Sequence, residues 1–211
     1  MRELTRHTLL ASGGVAVAAA LLPPIGMMAS QLFSAHMAQH LILIAVAAPL
    51  LAFAWPPNYV RPVSPVWGWS AFVGVFLFWH WPAAFQWAAT SPLYEALELL
   101  SIFGAALLFW LAAIGPRNSS RMSEGAAALY IMTAAVATDL PGVIMVFSPT
   151  PYCTLPGSTP GTFGLSPLED QQLAGMLMWV PANLVFFSIA TAMFARWMSD
   201  RQPPPIAVRS A

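Results

Sequence analysis

Apolar residues fill this chain in six runs of membrane-spanning length, near 8–28, 32–54, 66–87, 93–114, 125–148 and 169–198, set apart by clusters of Pro, Gly, Ser or Arg. A helix needs about 20 mostly apolar residues to cross the hydrocarbon core, so the pattern predicts an all-α, polytopic transmembrane bundle of about six helices. The first run follows Arg2 and Arg6 and contains AVAAALL, the outline of a cleaved signal peptide as well as of a helix. Pro23, Pro24 and the apolar run beyond them favour a retained helix. With a cytoplasmic N-terminus, Arg2, Arg6, Arg61, Arg117, Arg121, Arg196, Arg201 and Arg209 all fall on the inner side. This one-sidedness is the positive-inside pattern, and it predicts that both termini are cytoplasmic. Residues 1–198 then form a single helical-bundle domain and 199–211 a disordered cytoplasmic tail. The Pro- and Gly-rich stretch from Ser148 to Ser166 is the long outer loop.

Composition agrees with that parse. The chain is 58% hydrophobic and 8% charged, against roughly 25% charged residues in a soluble domain, so the lipid bilayer is its main solvent. Eight arginines, no lysine and eight acids give zero net charge, which argues against nucleic acid as a partner, since phosphate backbones require a basic face. The single cysteine, Cys153, excludes an intramolecular disulfide and any Cys-x-x-Cys motif.

Ionisable side chains are costly inside a membrane, so their positions mark function. His36 and His40 stand at i and i+4 in HMAQH, on one face at the outer start of the second helix, with Met37 beside them. His80, in FWHWP, comes near the outer end of the third helix, at matching depth; His7 is cytoplasmic and ordinary. Asp170, in LEDQQLAGMLMW, lies at the outer mouth of the sixth helix, Met176 and Met178 lie further in, and Met145 ends the fifth. Imidazole nitrogen with thioether sulfur selects a soft or borderline ion, Cu(I) first. The predicted metal ligands are therefore His36, His40, His80, Met37, Met176, Met178 and Asp170.

Each residue also has a structural reading. A membrane histidine can be an interhelical hydrogen-bonder, methionine fills apolar gaps, and Asp170 can cap its own helix. Trp79, Trp81, Trp87 and Trp179 read as an interfacial aromatic belt, and Pro82 and Pro181 as kinks. Glu95 and Glu98 suit a helix N-terminus. Asp139, in TDLPG, can hold a proton, orient a histidine or pair with another polar group. Cys153 reads as an exposed loop thiol, either ordinary or a landing point for Cu(I).

Three segments, HMAQHLILIAVAAPLLAFAWP, FWHWPAAFQWAATSPLYEALELL with its following LLFW, and SPLEDQQLAGMLMWVP, together resemble the CtaG family of cytochrome c oxidase assembly factors over roughly residues 30–198. His36, Met37, His40, His80, Asp170, Gln171 and Met178 match the family motifs. The resemblance implies a multi-pass protein of the bacterial inner (plasma) membrane, with a copper site facing the periplasm. Its implied partners are a haem–copper oxidase subunit and a periplasmic copper donor, and its implied role is delivery rather than catalysis. Many members carry a histidine pair early in the helix corresponding to 93–114, where this chain reads YEALELL; either the site is leaner here or Glu95 and Glu98 supply oxygen ligands instead. The chain is also shorter than many members, which have an additional helix.

Ligation by neutral imidazole predicts weaker copper loading on acidification toward the histidine range near pH 6–6.5. The site can form within one chain or across a homodimer. The rival classes are a haem- or quinone-binding membrane protein, since histidine pairs on facing helices also ligate haem, and a copper or small-solute transporter. A hydrolytic enzyme ranks last, because Asp170 and Ser166 define no nucleophile, base and orienter.

Overall fold

A computed structural model describes residues 3–56, 63–115, 122–153, 155, 161 and 163–200. Eight helices are present among them: α1 (Glu3–Leu21), α2 (Ile25–Ala29), α3 (Phe33–Ala54), α4 (Pro65–Trp79), α5 (Pro82–Thr90), α6 (Pro92–Ile114), α7 (Glu124–Phe147) and α8 (Pro167–Asp200). Five of these, α1, α3, α6, α7 and α8, are long and apolar enough to cross a membrane. The protein is an all-α, polytopic membrane bundle. Most of the arginines behind the expected topology, namely Arg2, Arg61, Arg117, Arg121, Arg201 and Arg209, lie outside the described residues, as does most of the expected tail.

Proline sets most of the boundaries. Helices α4, α5, α6 and α8 open on Pro65, Pro82, Pro92 and Pro167, where the missing N–H has no helical partner to lose and the fixed φ suits the first turn. The first and third expected spans are therefore each broken. α1 stops at Leu21, ahead of Pro23 and Pro24, rather than running on to residue 28. The run 66–87 divides at His80 and Trp81, because the residue before a proline is driven out of the helical region and Trp81 is extended, with ψ 131°.

The carbonyls that prolines leave open are used in tertiary contacts. In a continuing helix Ala20 would accept from the amide at 24, but Pro24 has none, and the side-chain amide of Gln39 donates to the Ala20 carbonyl instead, at 3.0 Å. Within α3 the segment Ile42–Ala47 is a π-helical turn, in which the Ala48 amide reaches back to the Leu43 carbonyl. The same register would pair Ile44 with Pro49, which cannot donate. The Ile44 carbonyl accepts from the indole Nε1 of Trp110 on α6 at 2.9 Å. Since an unpaired carbonyl in lipid costs several kcal/mol, these two side chains fix α1 and α6 to α3.

Small residues govern the closest crossing. α7 and α8 share the most extensive helix pairing and meet at Gly142 and Gly175, where a Cβ on Gly175 would lie 2.6 Å from the Gly142 carbonyl oxygen and 2.8 Å from Met145 Cβ. Close backbone approach through small residues is how membrane helices gain packing where no hydrophobic effect drives them together. The interior beside this crossing is aromatic: Phe109 packs on Phe72 (4.8 Å), Tyr130 (4.7 Å) and Phe186 (5.9 Å). At the far end of the pair Arg196 and Glu124 form an ion pair at 3.4 Å.

Candidate metal centre

The start of α3, the α4–α5 break and the start of α6 converge at one end of the bundle. His36 and His40, one turn apart on α3, face α6, with ring centroids 4.5 Å apart. There they meet Glu98, a carboxylate only 1% exposed. His36 Nε2 lies 3.3 Å from Glu98 Oε2, and His40 Nε2 lies 3.7 Å from Glu98 Oε1. One ligand atom from each residue falls within 4.8 Å of the other two. Metal–ligand bonds of about 2.0–2.1 Å at trigonal or tetrahedral angles separate donors by roughly 3.3–3.6 Å, so little adjustment would bring the three onto one ion.

The donor chemistry fits a cation as well as the distances do. His36 Nε2, both ring nitrogens of His40, and Glu98 Oε2 are buried without a hydrogen-bond partner among the described residues. A carboxylate taken out of water with only imidazoles for company costs several kcal/mol unless a positive charge joins it. Sequence reasoning placed Glu98 first as a helix-start acid and only second as a substitute ligand. The signal that distinguishes it is the register: Glu98 lies one turn beyond Glu95, inside the helix, where α6 faces α3.

His80 flanks this cluster, its ring 5.8 Å from that of His40. Because its Nδ1 lies 2.7 Å from the Phe76 carbonyl, which can only accept, Nδ1 carries the proton and the lone pair is on Nε2. That Nε2 is buried and has no hydrogen-bond partner among the described residues. Met37 and Met178 are buried beside it and line a cavity together with His40 and His80. Over the other side of the cluster, α5 places Phe85 against Phe33 (4.8 Å) and His36 (5.9 Å).

The remaining expected residues have other positions. Met176 is 51% exposed on the outward side of α8 and does not join the group. Asp170 directs both carboxylate oxygens at the first turn of α3, accepting from the Phe33 amide at 2.8 Å and the Ser34 amide at 3.0 Å. It caps a helix, but not its own. That cap is Ser166 with Glu169, a reciprocal pair in which Glu169 accepts from the Ser166 amide at 2.8 Å and Ser166 Oγ from the Glu169 amide at 3.3 Å.

Gln171 holds the loop, its Oε1 accepting from the amides of Tyr152 (2.8 Å) and Cys153 (3.2 Å). Cys153 is consequently buried, at 2% exposure, rather than an exposed loop thiol; burial pushes its pKa up to about 12. Trp79 is buried too, not part of an interfacial belt, and donates to Ser101 Oγ at 2.8 Å. Of the three expected roles for Asp139, the structure has the polar pair: its Oδ1 accepts from the Asn183 amide at 2.8 Å.

No curated protein and no solved structure matches the chain. A protein family does, Cytochrome c oxidase caa3 assembly factor (Caa3_CtaG), over residues 3–64 and 59–200, which together take in all eight helices and every residue of the buried histidine cluster. The chain belongs to this family of oxidase assembly factors, multi-pass membrane proteins that act as chaperones and not as catalysts.

Proposed function

We propose that this protein binds copper as Cu(I) at the periplasmic end of the bundle, takes it from a periplasmic donor, and passes it to a haem–copper oxidase subunit in the inner membrane. The observation that carries the reading is Glu98, buried against two imidazoles whose Nε2 atoms both approach its carboxylate. His36, His40 and Glu98 would hold the ion, with His80, Met37 and Met178 beside it and Asp170 fixing the helix that carries the histidines. All three ligands come from one chain, so no second copy is needed to build the site. Three donors leave a coordination position open, which permits ligand exchange with a partner, whereas a closed four-donor site would retain its metal. The carboxylate balances the charge of a monovalent ion inside the membrane, keeping the loaded site neutral.

A haem-binding role is the weaker reading on size. The cavity bordering His40 and His80 has a volume of about 30 Å³, room for an ion or a water but not for a macrocycle. The test is elemental analysis of detergent-purified protein expressed with copper, beside a His36→Ala/His40→Ala variant. Copper that falls by about one ion per chain in the variant supports binding at this cluster. Equal metal in both, or a Soret band lost in the variant, overturns it.

A further inference from the structure

Next to the His36/His40/Glu98 cluster, and sharing His40 with it, lies the cavity of about 30 Å³, which neither His36 nor Glu98 lines. Its chemistry differs from that of the cluster. The side chains around it that carry a lone pair suited to a metal are His80, Met37, Met178 and His40, and the rest of the lining is apolar except for Thr138. The Thr138 hydroxyl is turned back onto the carbonyls of Ala134 (3.0 Å) and Ala135 (3.1 Å) of its own helix. Among the described residues no carboxylate borders this cavity. His80 presents Nε2 with its lone pair fixed by the bond from Nδ1 to the Phe76 carbonyl, and that nitrogen has no hydrogen-bond partner among the described residues.

We infer that the protein has a second, softer copper station, formed by His80 Nε2 with the sulfurs of Met37 and Met178, separate from His36/His40/Glu98 and divided from it by His40. The inference rests on the copper reading above and extends it. One nitrogen and two thioethers form a three-donor set for Cu(I) and a poor one for Zn(II) or Mg(II), which prefer harder ligands. With no carboxylate to offset charge, the apolar walls also discriminate against a divalent ion. Met37 and Met178 have the rotatable bonds to bring sulfur onto an ion. A neutral imidazole has one lone pair, so His40 serves the cluster or the cavity, but not both at once. It therefore stands between the stations as the group through which one ion is exchanged, no bond to protein being formed or broken beyond metal ligation.

The test is anaerobic Cu(I) titration of the full chain in detergent micelles against a competing Cu(I) chelator, read together with X-ray absorption at the copper edge. The wild type should take up two ions and show sulfur scattering. Met37→Leu/Met178→Leu, which conserves volume and leaves the fold in place, should take up one ion with a nitrogen and oxygen shell alone. His36→Ala/Glu98→Gln should take up one ion that keeps its sulfur. Met176→Leu, altering an exposed side chain, should leave both ions. A wild type with one ion that the methionine variant leaves unchanged overturns the second station and preserves the first; so does a methionine variant that still binds two ions. A wild type that binds none overturns both readings.

Discussion

Asp170, on α8, accepts hydrogen bonds from the Phe33 and Ser34 amides at the start of α3, 137 and 136 residues away in sequence. The first turn of a membrane helix has donors with no intrahelical partner, and α3 has no cap of its own, since Leu32 precedes it. A carboxylate at that point satisfies two donors and complements the helix dipole. His36 follows one turn later. Asp170 therefore sets where the histidine face begins.

Asp170→Ala should destabilise the fold by about 1.5–3 kcal/mol, the range for hydrogen bonds to a charged group, and weaken copper loading only in proportion to the fraying of α3. Asp170→Asn, which keeps one acceptor oxygen, should lose less. Thermal melts in detergent with parallel metal analysis check this. If Asp170→Asn melts like the wild type yet loses copper entirely, Asp170 is a ligand and the anchoring role is wrong.

Glu98 tests the site without testing the fold. Glu98→Gln keeps the shape and removes the charge, and a buried carboxylate beside imidazoles is a source of strain when no cation is present. The metal-free variant should melt at or above the wild-type temperature while its Cu(I) affinity falls at least about tenfold. Competition with a Cu(I) chelator measures the second quantity and calorimetry the first. Unchanged affinity would remove Glu98 from the site.

The sequence made the membrane class and the gathering of His36, His40 and His80 at one end of the bundle legible, because hydropathy and the i, i+4 rule act locally. It could not show which way a side chain turns once helices pack. Met176 and Met178 differ by two positions, about 200° around α8, so one faces outward and the other lines the cavity. Glu98 looked like an acid at a helix start because its partner helix is more than 50 residues earlier in the chain. The breaks at Pro24 and Pro82 were marked in the letters, and so was the absent amide at Pro49. What the letters do not contain is that Gln39 and Trp110 would come within reach of the freed carbonyls.

The α7–α8 crossing should tolerate no side chain at its centre. Gly175→Ala places a methyl group 2.6 Å from the Gly142 carbonyl and 2.8 Å from Met145 Cβ, backbone and near-backbone atoms that cannot step aside, so overpacking should cost about 1–3 kcal/mol. Gly104→Ala, with no atom within 4 Å of the new methyl, should be neutral or stabilising by up to about 1 kcal/mol, from helix propensity alone. Matched melting curves decide; a Gly175→Ala protein as stable as Gly104→Ala would mean that the helices are not held at that distance.

Cys153 offers a pH test of how the loop sits on the bundle. Its thiol is pushed from the ordinary thiol value of 9.0 up to about 12 by burial, and its amide is held by Gln171 at 3.2 Å. The thiolate is the reactive species, so alkylation of the folded protein near pH 8 should be more than about a hundredfold slower than that of an unfolded control. For stability the sign follows from the unfolded chain losing its proton first. The thiol's contribution is complete below the unfolded value near 9 and is lost as pH rises toward the folded value of about 12. Gln171→Ala, by releasing the amides of Tyr152 and Cys153, should restore rapid alkylation at pH 8 while leaving His36, His40 and Glu98 in place. Fast alkylation of the wild type at that pH would show that the loop does not rest on the bundle as Gln171 positions it.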